Sequence, residues 1–337
     1  MTSQKERIRQ RLRLLYSDFD VDALLERCMS ALGDPIASAG GDRWSENDVV
    51  LIAYPDQISH HDQPPLATLE SVLSELDDAF STIHILPFFP SSSDDGFAVI
   101  DHCEVAEEFG GWRNIASISA NSRIMADLVL NHVSASHRWV EEFRNDIDPG
   151  CRCLLTASPD TDLSAVVRPR TTELLIPCET TNGVKHLWCT FSSDQVDVNW
   201  AEPEVLLETL RTLHRLLEAG VRWIRLDAVA YAHKRLGTTC VHLEETHELV
   251  RLLRDLLEWR CPDALLISET NVPHAENLSY LRDGKQAHLA YNFTLAPLLT
   301  HALITGSSER ITPWLRESEQ PPEGTTFLNF LASHDGI

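Results

Sequence analysis

The chain is short of positive charge. Its 337 residues carry 28 Lys and Arg against 51 Asp and Glu, for a formal net charge of −23. The basic residues form no stripe, and their one cluster, Lys5 to Arg13, belongs to a single short helical pattern. Nucleic acid and anionic membranes are repelled by such a surface, so neither is expected as a partner. Long apolar runs are also missing, and Met1 to Arg13 is charged rather than apolar. The sequence therefore predicts no membrane span and no secretory leader. Its eight cysteines include one close pair, Cys151-Arg-Cys153, and no two C-x-x-C elements at zinc spacing. The expectation is a cytoplasmic protein with reduced thiols, two of them in a loop at Cys151 and Cys153, and with no metal.

What the chain does have is a 43% hydrophobic content, enough to bury the core of one domain plus an insertion. Two helical patterns, Gln4 to Tyr16 and Val21 to Leu32, close at Gly33-Asp-Pro35 and Gly40-Gly41 and read as an N-terminal helical appendage over residues 1–45. Apolar strands and amphipathic helices then alternate. Strand patterns cover Asn47 to Tyr54, Thr82 to Leu86, Arg123 to Leu130, Val221 to Asp227, Ala264 to Ser268, Ala287 to Leu295 and Thr326 to Leu331. Helical patterns cover Pro65 to Phe80, Trp112 to Asn121, Glu204 to Ala219 and Glu244 to Arg260. Residues 134–200 carry short, irregular patterns and read as an inserted subdomain. The alternation implies parallel βαβ units: an α/β fold, specifically a (β/α)8 TIM barrel over residues 46–133 and 201–337 with seven strands in view. An eighth strand would lie beyond Ile337, so a C-terminally truncated barrel is expected.

The run Gly220-Val-Arg-Trp-Ile-Arg-Leu-Asp227 delivers Arg225 and Asp227 at the end of a buried strand. Such a carboxylate either caps the next helix or faces the pocket where barrels place their chemistry. Recurrence favours the pocket. Glu269 and Asp335 end two further strands, and the Asp94/Asp95 and Asn131-His132 pairs follow two others. Burying unpaired charge is costly, and a purely structural account would need it repeatedly on one rim. Three carboxylates suit glycosyl transfer through an oxocarbenium-like transition state: one attacks the anomeric carbon, a second protonates the leaving oxygen, and the third orients the sugar. Arg225, two residues before Asp227, shares its face of the strand and would hold it ionised. His132 and His334 are packed histidines or sugar contacts. Phe88, Phe89 and Phe97 are core or pocket wall, and Tyr231 is open to either reading.

These residues carry a resemblance. Asp127-Leu-Val-Leu-Asn131-His132, Ile224-Arg-Leu-Asp227-Ala, Ser268-Glu269 and Ser333-His-Asp335 resemble, in order, the four conserved regions of the alpha-amylase family, glycoside hydrolase family 13. His84-Ile-Leu-Pro-Phe-Phe-Pro, Asp94-Asp-Gly-Phe97, Arg168-Pro-Arg170 and Trp188 to Gln195 are similar to its sucrose phosphorylase branch, and the likeness runs from Val49 to the last residue. The resemblance implies a retaining glucosyl phosphorylase that takes an alpha-glucoside and inorganic phosphate, the latter as co-substrate, and needs no cofactor. It implies Asp227 as nucleophile, Glu269 as acid/base and Asp335 as transition-state stabiliser. Asp94, His132, Arg225 and His334 would hold the glucosyl ring, Phe191 and Gln195 would line the site, Tyr231 joins the substrate-binding set, and Arg170 would receive phosphate or acceptor. Two departures stand against the pattern: the eighth strand and a further C-terminal domain are lacking, and Ser91 and Cys189 replace residues usual in the branch. Glu269 to Asn277 is more like the glucosylglycerate and sucrose-6-phosphate phosphorylases than sucrose phosphorylase proper. Hydrolysis or transglucosylation on the same barrel, and an inactive truncated barrel, are the alternatives; the acceptor and the oligomeric state are open.

Overall fold

The computed structural model describes residues 3–41, 43–76 and 79–336. Helices α1 (Gln4–Leu15) and α2 (Val21–Leu32) open the chain. Ser3 accepts from Glu6 N, and Asp20 accepts from Asp22 N and Ala23 N, so each helix has the side-chain cap its first turn requires. Both helices belong to the main core. Ile8, Leu12 and Tyr16 from α1 and Leu24, Leu25, Cys28 and Leu32 from α2 are buried in the same apolar cluster as the barrel strands.

The alternation expected from the sequence is present. In chain order the barrel elements are β1 (Val50–Ala53), α3 (Pro65–Glu75), β2 (Thr82–Ile85), α4 (Trp112–Ser119), β3 (Arg123–Val129), α5 (Pro203–Glu218), β4 (Val221–Asp227), α6 (Glu244–Arg260), β5 (Leu265–Ser268), β6 (Leu289–Tyr291), α7 (Leu295–Thr305) and β7 (Thr326–Leu328). The seven strands form one sheet in sequence order, every neighbour parallel. Strands of a parallel sheet are covered on both faces, which is why β2, β5 and β6 are wholly buried and read as continuous apolar runs. Gly220 makes the tight turn from α5 into β4: its φ is +91°, and a Cβ there would collide with Ser119 Oγ. Charged contacts fasten the first two helices to the outside of the barrel. Arg7 and Arg11 reach Asp255 on α6 at 3.0 and 2.5 Å, Arg11 reaches Glu248 at 2.7 Å, and Arg27 reaches Glu204 on α5 at 2.6 Å. Among the described residues no helix is long and apolar enough to cross a membrane.

The two edge strands are β1 and β7, and all three residues of β7 are only half-buried. A cleft of about 650 Å³ separates them, lined by Val50, Ile52 and Leu86 on one side and Leu328 and Phe330 on the other. Three strands are markedly shorter than expected, β1 among them, which runs Val50–Ala53 rather than Asn47 to Tyr54. β6 stops at Tyr291 because Asn292 turns the chain, its Oδ1 accepting from Leu295 N at the start of α7. β7 stops at Leu328 rather than Leu331. Cys151 and Cys153 sit in a helical turn, Gly150–Cys153, rather than a loop; both are free thiols, and only Cys153 is buried.

Residues 134–200 leave and rejoin the barrel beside each other. His132–Ser134 pairs antiparallel with Gln195–Asp197, placing His132 opposite Asp197 and Ser134 opposite Gln195. Between them lie a short helix, Arg138–Arg144, the Gly150–Cys153 turn and a hairpin of Leu175–Thr180 with Gly183–Trp188.

Candidate active site

A cavity of about 460 Å³ opens at the C-terminal ends of the strands. All eleven residues singled out from the sequence line it: Asp94, His132, Arg170, Phe191, Gln195, Arg225, Asp227, Tyr231, Glu269, His334 and Asp335. They arrive from five strand ends and the insertion, as the parallel topology requires.

Its centre is Arg225, 2% exposed and held between the rings of Phe97 and Tyr291, whose centroids lie 5.6 and 5.5 Å from the guanidinium carbon. One guanidinium nitrogen, Nη1, serves two carboxylates. It donates to Asp227 Oδ1 at 2.8 Å and to Asp127 Oδ1 at 2.5 Å, while Nη2 stands 4.0 Å from Glu269 Oε2. The neighbouring strands explain this. Asp127 on β3 pairs in register with Arg225 on β4, and Val129 with Asp227. Glu269 follows β5 and accepts from Ala228 N at 3.0 Å, across the turn that follows Asp227.

Of the three carboxyls around Arg225, one is lowered and two are raised. Burial raises Asp127, but His84 Nε2 at 2.9 Å and Arg225 hold it down, to about 2. Burial likewise raises Asp227; Arg225 opposes the rise, and Glu269 and Asp127 add to it. Glu269 is raised by burial against Arg225 and the Ala228 amide, with Asp335 and Asp127 pushing it further up. Asp127 thus takes up much of the Arg225 charge, and the remainder falls on the closer of the two other carboxyls, Asp227.

On the insertion side Gln195 Nε2 donates to Asp94 Oδ2 at 2.7 Å. His132 is 3% exposed, with Nδ1 at 3.4 Å from Asn131 Nδ2 and Nε2 at 3.2 Å from Phe97 O. Nε2 also lies 3.0 Å from Gln195 Nε2, so it faces one acceptor, Phe97 O, and one donor, Gln195. Burial, against Asp197 and Asp94, lowers His132 to about 4, so it is neutral near pH 7. The second histidine of the cavity is His334, whose ring stacks on Phe97 at 5.6 Å and 11°. Phe191 meets His132 at 5.4 Å and Tyr231 at 5.5 Å, forming an aromatic wall. Asp335 has its side chain 53% exposed beside His334. Phe88 and Phe89 are fully buried core, whereas Phe97 forms cavity wall.

Sequence reasoning gave no role to Tyr54, Asn271 and Phe293, which also line the cavity, nor to the His84–Asp127 pair beneath Arg225. Asp127 carried a usable signal, a carboxylate inside an apolar strand, which is the same anomaly that marks Asp227.

Fold and site together define a parallel α/β-barrel catalytic domain with a carboxylate-lined cavity at the C-terminal rim of its strands. The chain belongs to the alpha-amylase family, whose catalytic domain matches residues 54–335. It is 49% identical over 296 residues to the glucosylglycerate phosphorylase of Allomeiothermus silvanus, covering 87% of this chain and 53% of that protein. It is 32% identical over 310 residues to the sucrose phosphorylase of Agrobacterium vitis, covering 87% and 60%. The crystal structure of sucrose 6F-phosphate phosphorylase from Thermoanaerobacter thermosaccharolyticum superposes with a TM-score of 0.76 at 26% identity, covering 88% of this chain and 61% of that one. The chain therefore spans roughly half to three fifths of the length of the relatives it matches.

Proposed function

We propose that this barrel is the catalytic part of a retaining glucosyl phosphorylase, which moves glucose from an alpha-glucoside of the glucosylglycerate type to phosphate, giving alpha-glucose 1-phosphate. The observation that carries the chemistry is the unequal sharing of Arg225, at 2.8 Å from Asp227 and 4.0 Å from Glu269. Burial raises both carboxyls, Asp227 to about 8; Arg225 opposes the rise and stands closer to Asp227, so it supports the ionised form there more than at Glu269, the ordering a double displacement needs. Asp227 attacks the anomeric carbon as Glu269 gives its proton to the departing glycerate oxygen. Phosphate then displaces Asp227 while Glu269, now ionised, takes the phosphate proton. Asp335 completes the carboxylate set and stabilises the positive charge developing on the sugar ring. Asp94, His132, Arg225 and His334 hold the glucosyl hydroxyls, with Phe191, Gln195 and Tyr231 as the wall. Arg170, at the cavity edge, supplies the cation that phosphate needs in an otherwise acidic cavity.

The acceptor follows from similarity: identity is 49% to a glucosylglycerate phosphorylase and 32% to a sucrose phosphorylase. Incubating the protein with phosphate and either glucosylglycerate or sucrose tests both parts. Glucose 1-phosphate released faster from glucosylglycerate is expected. Free glucose at a rate independent of phosphate overturns phosphorolysis in favour of hydrolysis. One feature favours the inactive alternative: β1 and β7 leave an open cleft beside the Asp335 loop, and the Asp335 side chain is half exposed. No product of any kind from either glucoside would establish that reading.

A further inference from the structure

Behind the cavity wall lies a buried ammonium to which the chemistry above assigns nothing. Lys234 lies in the loop after β4, and its side chain is 3% exposed. Its Nζ donates to Asn131 Oδ1 at 2.5 Å, to the Tyr231 carbonyl at 2.5 Å, and to the Oδ2 of Asp197, a carboxylate with no exposure at all. Asp197 in turn accepts from Thr190 N at 2.8 Å and from Thr190 Oγ1 at 2.6 Å. Every group in this set adjoins a cavity residue. Asn131 precedes His132 at the end of β3; Thr190 precedes Phe191; Asp197 faces His132 across the paired strands, two residues after Gln195; and Tyr231 is itself in the wall.

We propose that Lys234 is a positioning residue that clamps the inserted segment to the nucleophile loop and so sets the width of the Phe191–Tyr231 wall and the place of Gln195 and His132. Three separate pieces of chain meet at its nitrogen: the end of β3 and the insertion already pair backbone to backbone, and Lys234 ties the loop after β4 to that pair. A buried ammonium suits this task because its three protons fan out to three separate oxygens, whereas a planar guanidinium would present its donors in one plane. The Lys234–Asp197 pair is costly to desolvate, and an apolar pair of the same volume would serve stability as well or better. What the charged pair adds is a single fixed geometry for the wall. The functional consequence rests on the reading of the cavity as the glucosyl site; the clamp itself does not.

The test separates the two. Lys234→Met strands the Asp197 carboxylate and is expected to lower stability, so it is paired with the double variant Lys234→Met/Asp197→Asn, which removes both charges. Hydrogen exchange of the unliganded double variant should quicken in residues 188–198 and in 229–234 together, with β4 and β5 unchanged. If both segments exchange as in the wild type, the clamp is refuted, whatever the protein binds. With glucosylglycerate and phosphate, KM of the folded double variant should rise on the order of tenfold or more while kcat changes far less, because the wall positions substrate and touches no reacting atom. Faster exchange with unaltered KM would overturn the link to glucosyl binding and leave the proposal wrong as a statement about the site. A wild-type protein that turns over neither glucoside counts against the phosphorylase reading, and the exchange result still decides the clamp.

Discussion

Replacing Asp127 by Asn should weaken the fold while making Asp227 easier to ionise. Asp127 has no exposed side-chain surface and is held between His84 Nε2 at 2.9 Å and Arg225 Nη1 at 2.5 Å. Its carboxyl is lowered from 3.8 to about 2 despite burial, which corresponds to about 2 kcal/mol of folding free energy at neutral pH. Because the folded value is depressed, that contribution is complete above the unfolded value and disappears as pH falls through the folded one. Removing one partner of a buried ion pair costs about 3–5 kcal/mol when the other is left alone. Arg225 is not left alone, since Asp227 remains at 2.8 Å, so the lower figure of about 2 kcal/mol governs. The neutral amide also fits: its oxygen can stay with Arg225 while its nitrogen meets a His84 ring whose Nδ1 has no partner. Urea midpoints of wild type and Asp127→Asn at pH 7 should differ accordingly and converge near about pH 2. The second effect has the opposite sense. The Asp127 charge raises the Asp227 carboxyl, so without it Arg225 acts on Asp227 with less competition and the acid limb of kcat/KM should move to lower pH. An acid limb displaced upward, or equal urea midpoints at pH 7, would refute this account of the Arg225 cluster.

Other changes follow from the same geometry. Glu269→Gln should lower turnover by about 10²–10⁴-fold by removing the proton donor. It should also stabilise the protein increasingly as pH rises: the Glu269 carboxyl is raised in the fold, so the wild type loses stability as pH climbs above the ordinary carboxyl range and stops losing it once the folded carboxyl has ionised, and the melting-temperature gap should widen over that interval and then level off. Arg170→Ala should raise the KM for phosphate and the share of free glucose among products, with the KM for the glucoside changed much less; a uniform fall in all three would place Arg170 outside phosphate binding. Leu12→Ala, at a fully buried position of α1, should cost about 3 kcal/mol in urea unfolding with a single transition, showing that the first two helices melt with the barrel. Two separate transitions would make them an independent unit.

The barrel strands were legible because a parallel sheet covered on both faces imprints unbroken apolar runs, and the active rim because carboxylates ended those runs at Asp227 and Glu269. Where runs ended was less legible: Tyr291 is followed by Asn292 and then by apolar Phe293 and Leu295, and only the Asn292 side chain turning back to Leu295 N converts that stretch to a helix start. The pairs beneath the rim were not legible at all. Nothing in the spacing of Lys234 and Asp197, or of His84 and Asp127, announces that they meet, because contacts between residues dozens apart are created by the register of neighbouring strands. The insertion was visible only as irregularity, since one of its sheets is a single hairpin, the other joins its two distant ends, and its helices have seven and four residues.

The antiparallel junction of His132–Ser134 with Gln195–Asp197 has a consequence for how such a chain can change over time. An excursion whose two ends lie side by side behaves as a cassette. Its length and content can vary with a loop-closure cost that grows only logarithmically, while the strands on either side keep their register. The junction carries His132 and Gln195, both in the cavity wall, whereas Arg170 reaches the same cavity from an exposed loop within the excursion, where change is tolerated more readily. One side of the cavity can thus be rewritten through a single exchangeable segment while the strand ends that carry Asp227 and Glu269 keep their places.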